Sequence, residues 1–175
     1  MIFAAQKREL KVYLISGEDM NIKNEFRALL SDTALHWIKL PDRVFENVFN
    51  ALNIDGRFCE EMDGIGNVQT IISQIYTELN RKGLNGDDYN LWYFLSKEEY
   101  ARQLEKTGFQ IDFIEQFERP TILATDVDSW TKTFAKPVLN DIPATRSEDF
   151  IQEIKWSVAD TLRNENCKWY VDYVR

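Results

Sequence analysis

The sequence contains very few of the residues that build metal sites and disulfide frameworks. Among its 175 residues there are two cysteines, Cys59 and Cys167, and a single histidine, His36. Two cysteines form at most one bridge and neither belongs to a CxxC pair, so the sequence argues against a disulfide scaffold and against a zinc site. We therefore predict a protein without a bound metal that folds in a reducing compartment, the cytoplasm.

Long apolar runs and positive charge are also scarce. No window approaches the length of a membrane span, and the apolar start of the chain is too short for a signal peptide. The net charge of −8 argues against a nucleic-acid partner and against an anionic membrane surface. Aromatic residues, by contrast, make up 13% of the chain. They can fill a core or line a pocket, and the core is the favoured prediction for most of them.

A strand–helix–strand unit is predicted in the first third of the chain. Residues 28–30 form a short apolar run without polar alternation, which is typical of a strand buried on both faces. Pro41 suits the first turn of a helix whose apolar residues recur at helical spacing as far as Leu52. Residues 57–62 form the next predicted strand. This order predicts a βαβ unit with a right-handed crossover, and hence an α/β fold.

Three further helices are predicted from the residues at their ends. Asn67 is positioned to cap a long helix that stops at Gly83. Residues 96–99 form a capping box for a helix that Gly108 ends. Ser147 is positioned to cap the last helix.

Short strands are predicted at three other places. Residues 10–15 are largely apolar and are followed by a turn. Residues 109–113 alternate between apolar and polar side chains, which predicts a half-buried strand that ends before Pro120. Residues 169–174 are rich in aromatic and β-branched residues and predict a closing strand.

The segment F-R-A-L-L-S-D-T-A-L-H-W, residues 26–37, resembles the fourth-strand motif of class I S-adenosylmethionine-dependent methyltransferases. It is most similar to the branch typified by trans-aconitate methyltransferase, which carries a pattern like F-D-x-V-x-S-N-A-x-L-H-W there. The similarity continues in order through later segments: residues 55–58, 64–68, 92–94 and 170–175. We therefore expect one methyltransferase-like domain over residues 26–175, preceded by a divergent segment, residues 1–25.

The resemblance implies a Rossmann-like, doubly wound sheet in which S-adenosylmethionine (SAM) lies across the carboxyl ends of the strands. The methionine side of SAM would then lie on the residues that follow the strand of the motif: Asp32, Thr33, Ala34, His36 and Trp37. The aromatic region after the long helix helps to form the substrate pocket in these enzymes, and its counterparts here are Trp92 and Tyr93. The implied activity is methyl transfer to a small molecule, such as a small carboxylic acid.

The sequence also departs from the family's pattern. The glycine-rich loop that approaches the cofactor has no counterpart, since Gly17 is the only glycine before residue 26. Asp32 replaces the usual asparagine, and Arg27 replaces the usual aspartate. We therefore expect only the C-terminal half of the fold. Such a chain would be weakly active or inactive unless a second polypeptide or a swapped copy completed the site.

Two other functions fit the same residues. The chain is either a non-catalytic, truncated remnant or an interaction module that self-associates through the strand that the missing half would cover. A central strand without its neighbour exposes unpaired backbone groups and an apolar strip, which invite pairing with another chain. We predict that residues 10–15 cover this edge or that the protein forms a homo-oligomer.

Several candidate site residues have both a functional and a structural interpretation. His36 is either a general base or a hydrogen-bonded residue that lines the pocket, and the second is favoured because methyl transfer to a carboxylate needs no base. Asp32 either binds the ammonium group of a ligand or caps the turn after its strand, which is the favoured interpretation. Trp92 and Tyr93 either stack on a ligand or fill the space under a loop, and the sequence favours neither.

An acidic run follows the second predicted strand. Glu60, Glu61 and Asp63 would need to converge to bind a metal, and nothing in the sequence requires them to do so. We predict a solvated edge for these three carboxylates. Gly64 and Gly66 lack the third glycine of a phosphate loop and predict a tight turn.

Overall fold

The computed structural model describes residues 2–175, which form helices packed around two separate two-stranded sheets. The α/β class is confirmed by the order of the elements: α1 (Ile2–Gln6), β1 (Phe26–Asp32), α2 (Pro41–Ala51), β2 (Leu52–Glu61), α3 (Gln69–Arg81), α4 (Lys97–Thr107), β3 (Glu118–Ile122), α5 (Val127–Phe134), α6 (Lys136–Asn140), α7 (Ala144–Leu162) and β4 (Tyr170–Val174). Short 3-10 turns occupy Gly17–Asp19, Leu35–Trp37 and Gly86–Tyr89. Across these elements no helix is both long enough and apolar enough to cross a bilayer.

The predicted βαβ unit is present, with β1 and β2 parallel and α2 between them. Helix α2 begins with Pro41 at its first turn, where a missing N–H costs nothing. Its apolar residues Val44, Phe45 and Val48 recur at helical spacing and are all buried. This stripe packs α2 against the sheet and so places the ends of both strands side by side.

The burial predicted for β1 is wrong. Its residues are half-buried or exposed, and Leu30 is 76% exposed. A strand is buried on both faces only inside a sheet that is covered by other elements on both sides. Within residues 2–175, β1 belongs to a sheet of two strands and is therefore an edge strand. The strand predicted at residues 10–15 is also wrong, because that segment has no regular secondary structure and does not pair with β1.

The second sheet pairs β3 with β4 in antiparallel register, from Glu118 opposite Val174 to Ile122 opposite Tyr170. The strand predicted at residues 109–113 is wrong, and the strand forms further on, across Pro120. Proline is tolerated there because β3 is an edge strand, so its missing N–H breaks no ladder on the outer side. The closing strand predicted at residues 169–174 is confirmed as β4.

Two apolar clusters hold these elements together. The larger one joins α3, α5, α6 and α7 to β4, and its fully buried members include Ile71, Leu79, Phe150 and Ile154. The smaller one lies between α2, α4 and the parallel sheet and is built around Phe45. Immediately after β1, Leu35 packs into the smaller cluster and Trp37 contacts Trp92 of the larger one. The candidate site lies at this connection.

Helix ends follow the sequence signals in part. The capping box of Ser96 with Glu99 is confirmed, and Gly108 ends α4 with a φ of 114°. The cap predicted at Asn67 is wrong, because Val68 is the N-cap and the Asn67 side chain bonds elsewhere. The cap predicted at Ser147 is wrong too, since α7 begins at residue 144 and the Ser147 hydroxyl bonds back to carbonyls before it.

Candidate functional site

The carboxyl ends of β1 and β2 lie next to each other and define the candidate site. Asp32 is in register with Glu61, and the Thr33 amide donates a hydrogen bond to the Glu61 carbonyl at 2.8 Å. In open α/β sheets, ligands bind outside the carboxyl ends of parallel strands, where the chain turns away from the sheet. The segment that the sequence marked as the candidate cofactor site begins at this point.

The first part of that segment is a surface turn. The Asp32 carboxylate accepts a hydrogen bond from the Thr33 hydroxyl at 2.6 Å, as expected of a side chain that stabilises the turn after a strand. Thr33 has a φ of 55°, which is uncommon for a β-branched residue and directs the chain sharply off the sheet. Asp32 and Ala34 are exposed and border the strand end.

The 3-10 turn at Leu35–Trp37 then carries His36 into the interior, where it is 2% exposed. Its Nδ1 accepts a hydrogen bond from the Asp63 amide at 3.2 Å. The Nε2 atom of His36 lies 3.4 Å from Oδ2 of the Asp63 carboxylate. A ring that accepts at Nδ1 carries its proton on Nε2 when neutral, so Asp63 holds both nitrogens and sets the tautomer.

His36 is neutral at physiological pH. Burial, together with the positive charge of Arg175 as the smaller cause, lowers the pKa of its imidazole to about 4. The nearby Asp63 carboxylate does not reverse this shift because Arg175 already neutralises it. An imidazole with so low a pKa and both nitrogens engaged is a weak base, which favours the structural interpretation of His36.

A buried ion-pair network surrounds Asp63 and corrects the predicted solvated edge. Arg175 forms an ion pair with the buried Asp63 carboxylate, and its Nε lies 3.2 Å from a Glu61 carboxylate oxygen. Asn67 donates to Asp63 at 2.9 Å and accepts from the Val174 amide at 2.8 Å. The network therefore ties the end of β2 to the end of β4.

The sequence pattern did not identify this network as a unit. Its members lie in two segments that the resemblance had marked, residues 64–68 and 170–175, but the spacing within each gives no sign of the pairing between them. Acidic side chains after a strand usually face water, and only the fold brings Arg175 to Asp63. Among residues 2–175, no group of three or more His, Cys, Asp or Glu side chains is placed to hold a metal ion.

The predicted substrate residues lie beside the predicted cofactor residues. The Tyr93 amide donates a hydrogen bond to the His36 carbonyl at 2.8 Å, and the rings of Trp92 and Trp37 have their centroids 6.0 Å apart. Trp92 is 6% exposed and packs parallel to Phe94, so its indole fills the core. Trp37 is 42% exposed and is the more open aromatic surface at the strand end. Their roles in ligand binding remain predictions.

We expect the His36 imidazole to stay neutral down to about pH 4. Because the chain has one histidine, the imidazole Cε1 proton gives a single NMR signal, and its titration reports this site alone. The folded-state pKa lies below the unfolded value, so the unfolded chain binds the proton more readily. The stabilising effect of the neutral ring is full above pH 6.5 and is lost as the pH falls from there through 4. A titration midpoint near 6.5 in the folded protein would contradict the buried, neutral ring.

Sequence comparison places the chain in a methyltransferase family. No protein-family model matches it. Over its whole length, however, the chain is 34% identical to an uncharacterized methyltransferase of Schizosaccharomyces pombe, in an alignment of 191 positions that spans 72% of that protein. An uncharacterized protein of Methanocaldococcus jannaschii is 30% identical over 107 positions, covering 61% of this chain and 49% of that protein. The chain belongs to the methyltransferase family of the yeast protein.

Solved structures give the same fold. A candidate methyltransferase of Bacillus halodurans superposes with a TM-score of 0.59 over 95% of this chain and 75% of that chain, at 13% identity. The YcgJ protein of a Bacillus species superposes with a TM-score of 0.58 over 99% of this chain and 72% of that chain, at 16% identity. The helices and the parallel β1–β2 pair therefore form part of a methyltransferase-type α/β fold.

Proposed function

We propose that this chain forms part of a SAM-dependent methyltransferase that acts on a small molecule. The observation that carries the proposal is the junction at the end of β1, where residues 32–37 meet the Trp92–Tyr93 segment through the bond between the Tyr93 amide and the His36 carbonyl. This junction lies at the carboxyl ends of two parallel strands, where ligands bind in α/β sheets. Membership of a methyltransferase family supports methyl transfer as the reaction.

The strand end fits the methionine side of SAM. The exposed residues Asp32 and Ala34 border the strand end, the Asp32 carboxylate is at the surface, and Trp37 adds an accessible ring. These groups suit a ligand end that carries an ammonium and a carboxylate. The Asp32 carboxylate would accept from the ammonium while keeping its bond to the Thr33 hydroxyl, because a carboxylate has several acceptor positions.

The adenosine side of SAM does not have the same support within residues 2–175. Gly17 is the one glycine before β1, and a Cβ there would lie 3.1 Å from Val44 Cγ1, so this glycine allows close packing on α2. It does not form a cradle for a nucleoside. We propose that a segment outside the described residues, in the same or in another polypeptide, supplies the glycine loop. Residues 2–175 alone would then be weakly active or inactive.

Catalysis in this proposal depends on positioning. SAM supplies a methyl group already activated on a sulfonium, so the protein has to hold an acceptor in line with it and exclude water. A small acceptor such as a carboxylic acid needs no general base, which agrees with a His36 ring that is neutral and fully bonded. The exposed Trp37 ring offers an apolar surface against which such an acceptor can lie.

A second candidate function is self-association through β1. Its outer edge is unpaired within the described part of the chain, and Leu30 is exposed. Residues 10–15 carry further exposed apolar side chains: Leu10, Tyr13, Leu14 and Ile15. Open strand edges with apolar surface favour pairing with another strand. If a second copy binds there, self-association is either the function of the chain itself or the means by which the cofactor site is completed.

Calorimetric titration with SAM and with S-adenosylhomocysteine, alongside sedimentation of the same samples, tests the proposal. We expect saturable binding in samples that sediment as an oligomer, or in samples to which a segment carrying the glycine loop has been added. Ala34→Arg, which obstructs the strand end from an exposed position, should abolish binding, whereas Ala4→Arg on the exposed face of α1 should not. If the protein is a monomer and binds neither compound, with or without the complementing segment, the proposal is contradicted and the chain is a non-catalytic remnant.

A further inference from the structure

A long slot runs along the outer edge of β2, the edge that does not pair with β1. Its volume is about 1260 Å³, and its lining includes every residue from 52 to 64 and every residue from 108 to 117. Successive side chains of a strand point to opposite faces. A cavity that touches consecutive residues of β2 therefore lies beside the strand, and not over one of its faces.

The two lining segments run side by side in the same direction. The rings of Phe58 and Phe109 have their centroids 5.8 Å apart, and further along both segments the Gln116 side chain donates to the Ile65 carbonyl at 3.2 Å. The antiparallel ladder of β3 and β4 extends to Phe117, whose amide and carbonyl both bond to the backbone of Arg175. Beyond that pair, residues 110–116 have no regular secondary structure and pair with no strand within residues 2–175.

The backbone of β2 also lacks a partner on this side. The Glu61 carbonyl accepts from the Thr33 amide, so the backbone groups of Glu61 face β1. Peptide groups alternate in direction along a strand, and those of Phe58 and Glu60 therefore face the slot. Among the described residues, β2 pairs only with β1. The slot thus has the surroundings of a strand position that is not filled.

The size and lining of the slot fit a short amphipathic strand. A strand residue takes up roughly 160 Å³, from its rise of about 3.3 Å and spacings of about 4.8 Å between strands and 10 Å between layers, so the slot holds about eight residues. Tyr100 and Leu104 of α4 line it and belong to the smaller apolar cluster. Cys59 and Asp112 also line it and are exposed. An added strand would therefore be apolar on one face and solvated on the other.

The chain contains a segment with this pattern. Residues 7–15, here called the arm, include the strand predicted at residues 10–15, which has no regular secondary structure and lines no part of its own slot. Leu10, Val12 and Leu14 alternate there with Lys11, Tyr13 and Ile15. The arm carries three basic side chains and one acidic one, whereas residues 108–117 carry two acidic ones and no basic one. Opposite charges favour the approach of the arm to this wall.

We propose that the slot of one copy binds the arm of a second copy as an added strand, and that the exchange is reciprocal. Main-chain hydrogen bonds to the edge of β2 would hold the arm, with Leu10, Val12 and Leu14 against the apolar cluster. A two-fold exchange fills both slots and closes the dimer. The pairing explains why residues 10–15 and 109–113 both have strand-like sequences without a partner in one chain. It uses the opposite edge of the sheet from the β1 edge considered above and does not depend on methyl transfer.

Sedimentation of the full chain over a range of concentrations tests the dimer. Tyr13→Pro should raise its dissociation constant roughly tenfold or more, because proline removes a ladder N–H and cannot continue a central strand. Tyr13 is 68% exposed, so the fold does not depend on it. The matched control is Tyr13→Thr, which keeps the N–H and a β-branched side chain and should still dimerise. A chain that stays monomeric up to millimolar concentration, or equal dimerisation by the two variants, would overturn the proposal.

Disulfide cross-linking identifies the slot and the copy that fills it. Cys59 is an exposed thiol on the outward face of β2, so single cysteines at positions 11, 13 and 15 can be tested against it in a Cys167→Ser background. Oxidation with diamide should give a covalent dimer for at least one position, and Cys59→Ser should abolish it. Trp156→Cys, at an exposed position on α7, should not link to Cys59. A cross-linked monomer would mean that the arm enters its own slot, and it would contradict the exchange, as would no link at any of the three positions.

Discussion

Replacing Arg175 with alanine is expected to lower the free energy of unfolding by about 3–5 kcal/mol, the cost of leaving one member of a buried ion pair without its partner. Asp63 is buried, and Arg175 is its cationic partner in the network. Its remaining contacts, with Asn67 and with the neutral His36 ring, are weaker than an ion pair. Glu61 would be less affected because it is at the surface and also bonds Arg119 at 2.7 Å.

The same substitution should raise the pKa of His36. Arg175 contributes to the low value of about 4, and its removal leaves an unneutralised carboxylate 3.4 Å from Nε2. Protonation of the ring would then compensate the Asp63 charge. In the Arg175→Ala variant we therefore expect the single imidazole NMR signal to titrate at clearly higher pH, and the destabilisation to be smaller at acidic pH than at neutral pH.

Urea unfolding of three variants measures the effect. Arg175→Ala should show the full loss, and the double variant Arg175→Ala/Asp63→Asn should recover most of it because no unpaired charge remains buried. The control is Arg119→Ala, which removes an exposed arginine that also pairs with Glu61 and should cost about 1 kcal/mol or less. Equal losses for the two arginines would show that burial of Asp63 is not what makes Arg175 important.

The Glu60→Gln variant is expected to be more stable than the wild-type chain at pH 8 by roughly 3–5 kcal/mol, since each unit of pKa shift corresponds to about 1.4 kcal/mol. Burial raises the folded-state pKa of Glu60 from 4.5 to about 8. Between these values the unfolded chain has lost the proton while the folded chain keeps it. The wild-type protein therefore loses stability as the pH rises from 4.5 through 8, and glutamine removes that loss.

The pH dependence distinguishes this effect from a general gain in packing. The stability difference between Glu60→Gln and the wild-type chain should be close to zero near pH 4.5, grow with pH and level off above pH 8. Thermal or urea unfolding across this range measures it directly. Glu115→Gln serves as the control, because Glu115 is exposed and its carboxylate is not a buried charge. A difference that is constant with pH would mean that Glu60 is ionised and solvated in the folded state.

The sequence by itself determined the helices and strands that depend on residues close together in the chain. The α2 helix follows from Pro41 and the apolar spacing after it, and α4 follows from its capping box and Gly108. The parallel pairing of β1 and β2 follows from the strand–helix–strand order. The family was recognisable because residues 26–37 resemble the methyltransferase motif, and the sharp turn within that segment is present at Thr33.

Only the tertiary structure decided the surroundings of each element, because burial and pairing depend on residues distant along the chain. The alternation at residues 109–113 fits a strand, yet this segment pairs with no strand within residues 2–175, and β3 pairs across Pro120 instead. Asn67 suits a helix cap by type, but the approach of β4 engages its side chain with the Val174 amide. Acidic residues 60–63 look solvated in the sequence. The fold buries the Glu60 carboxylate oxygens and brings Arg175 to Asp63, so the charge environment of the site is a product of long-range contacts.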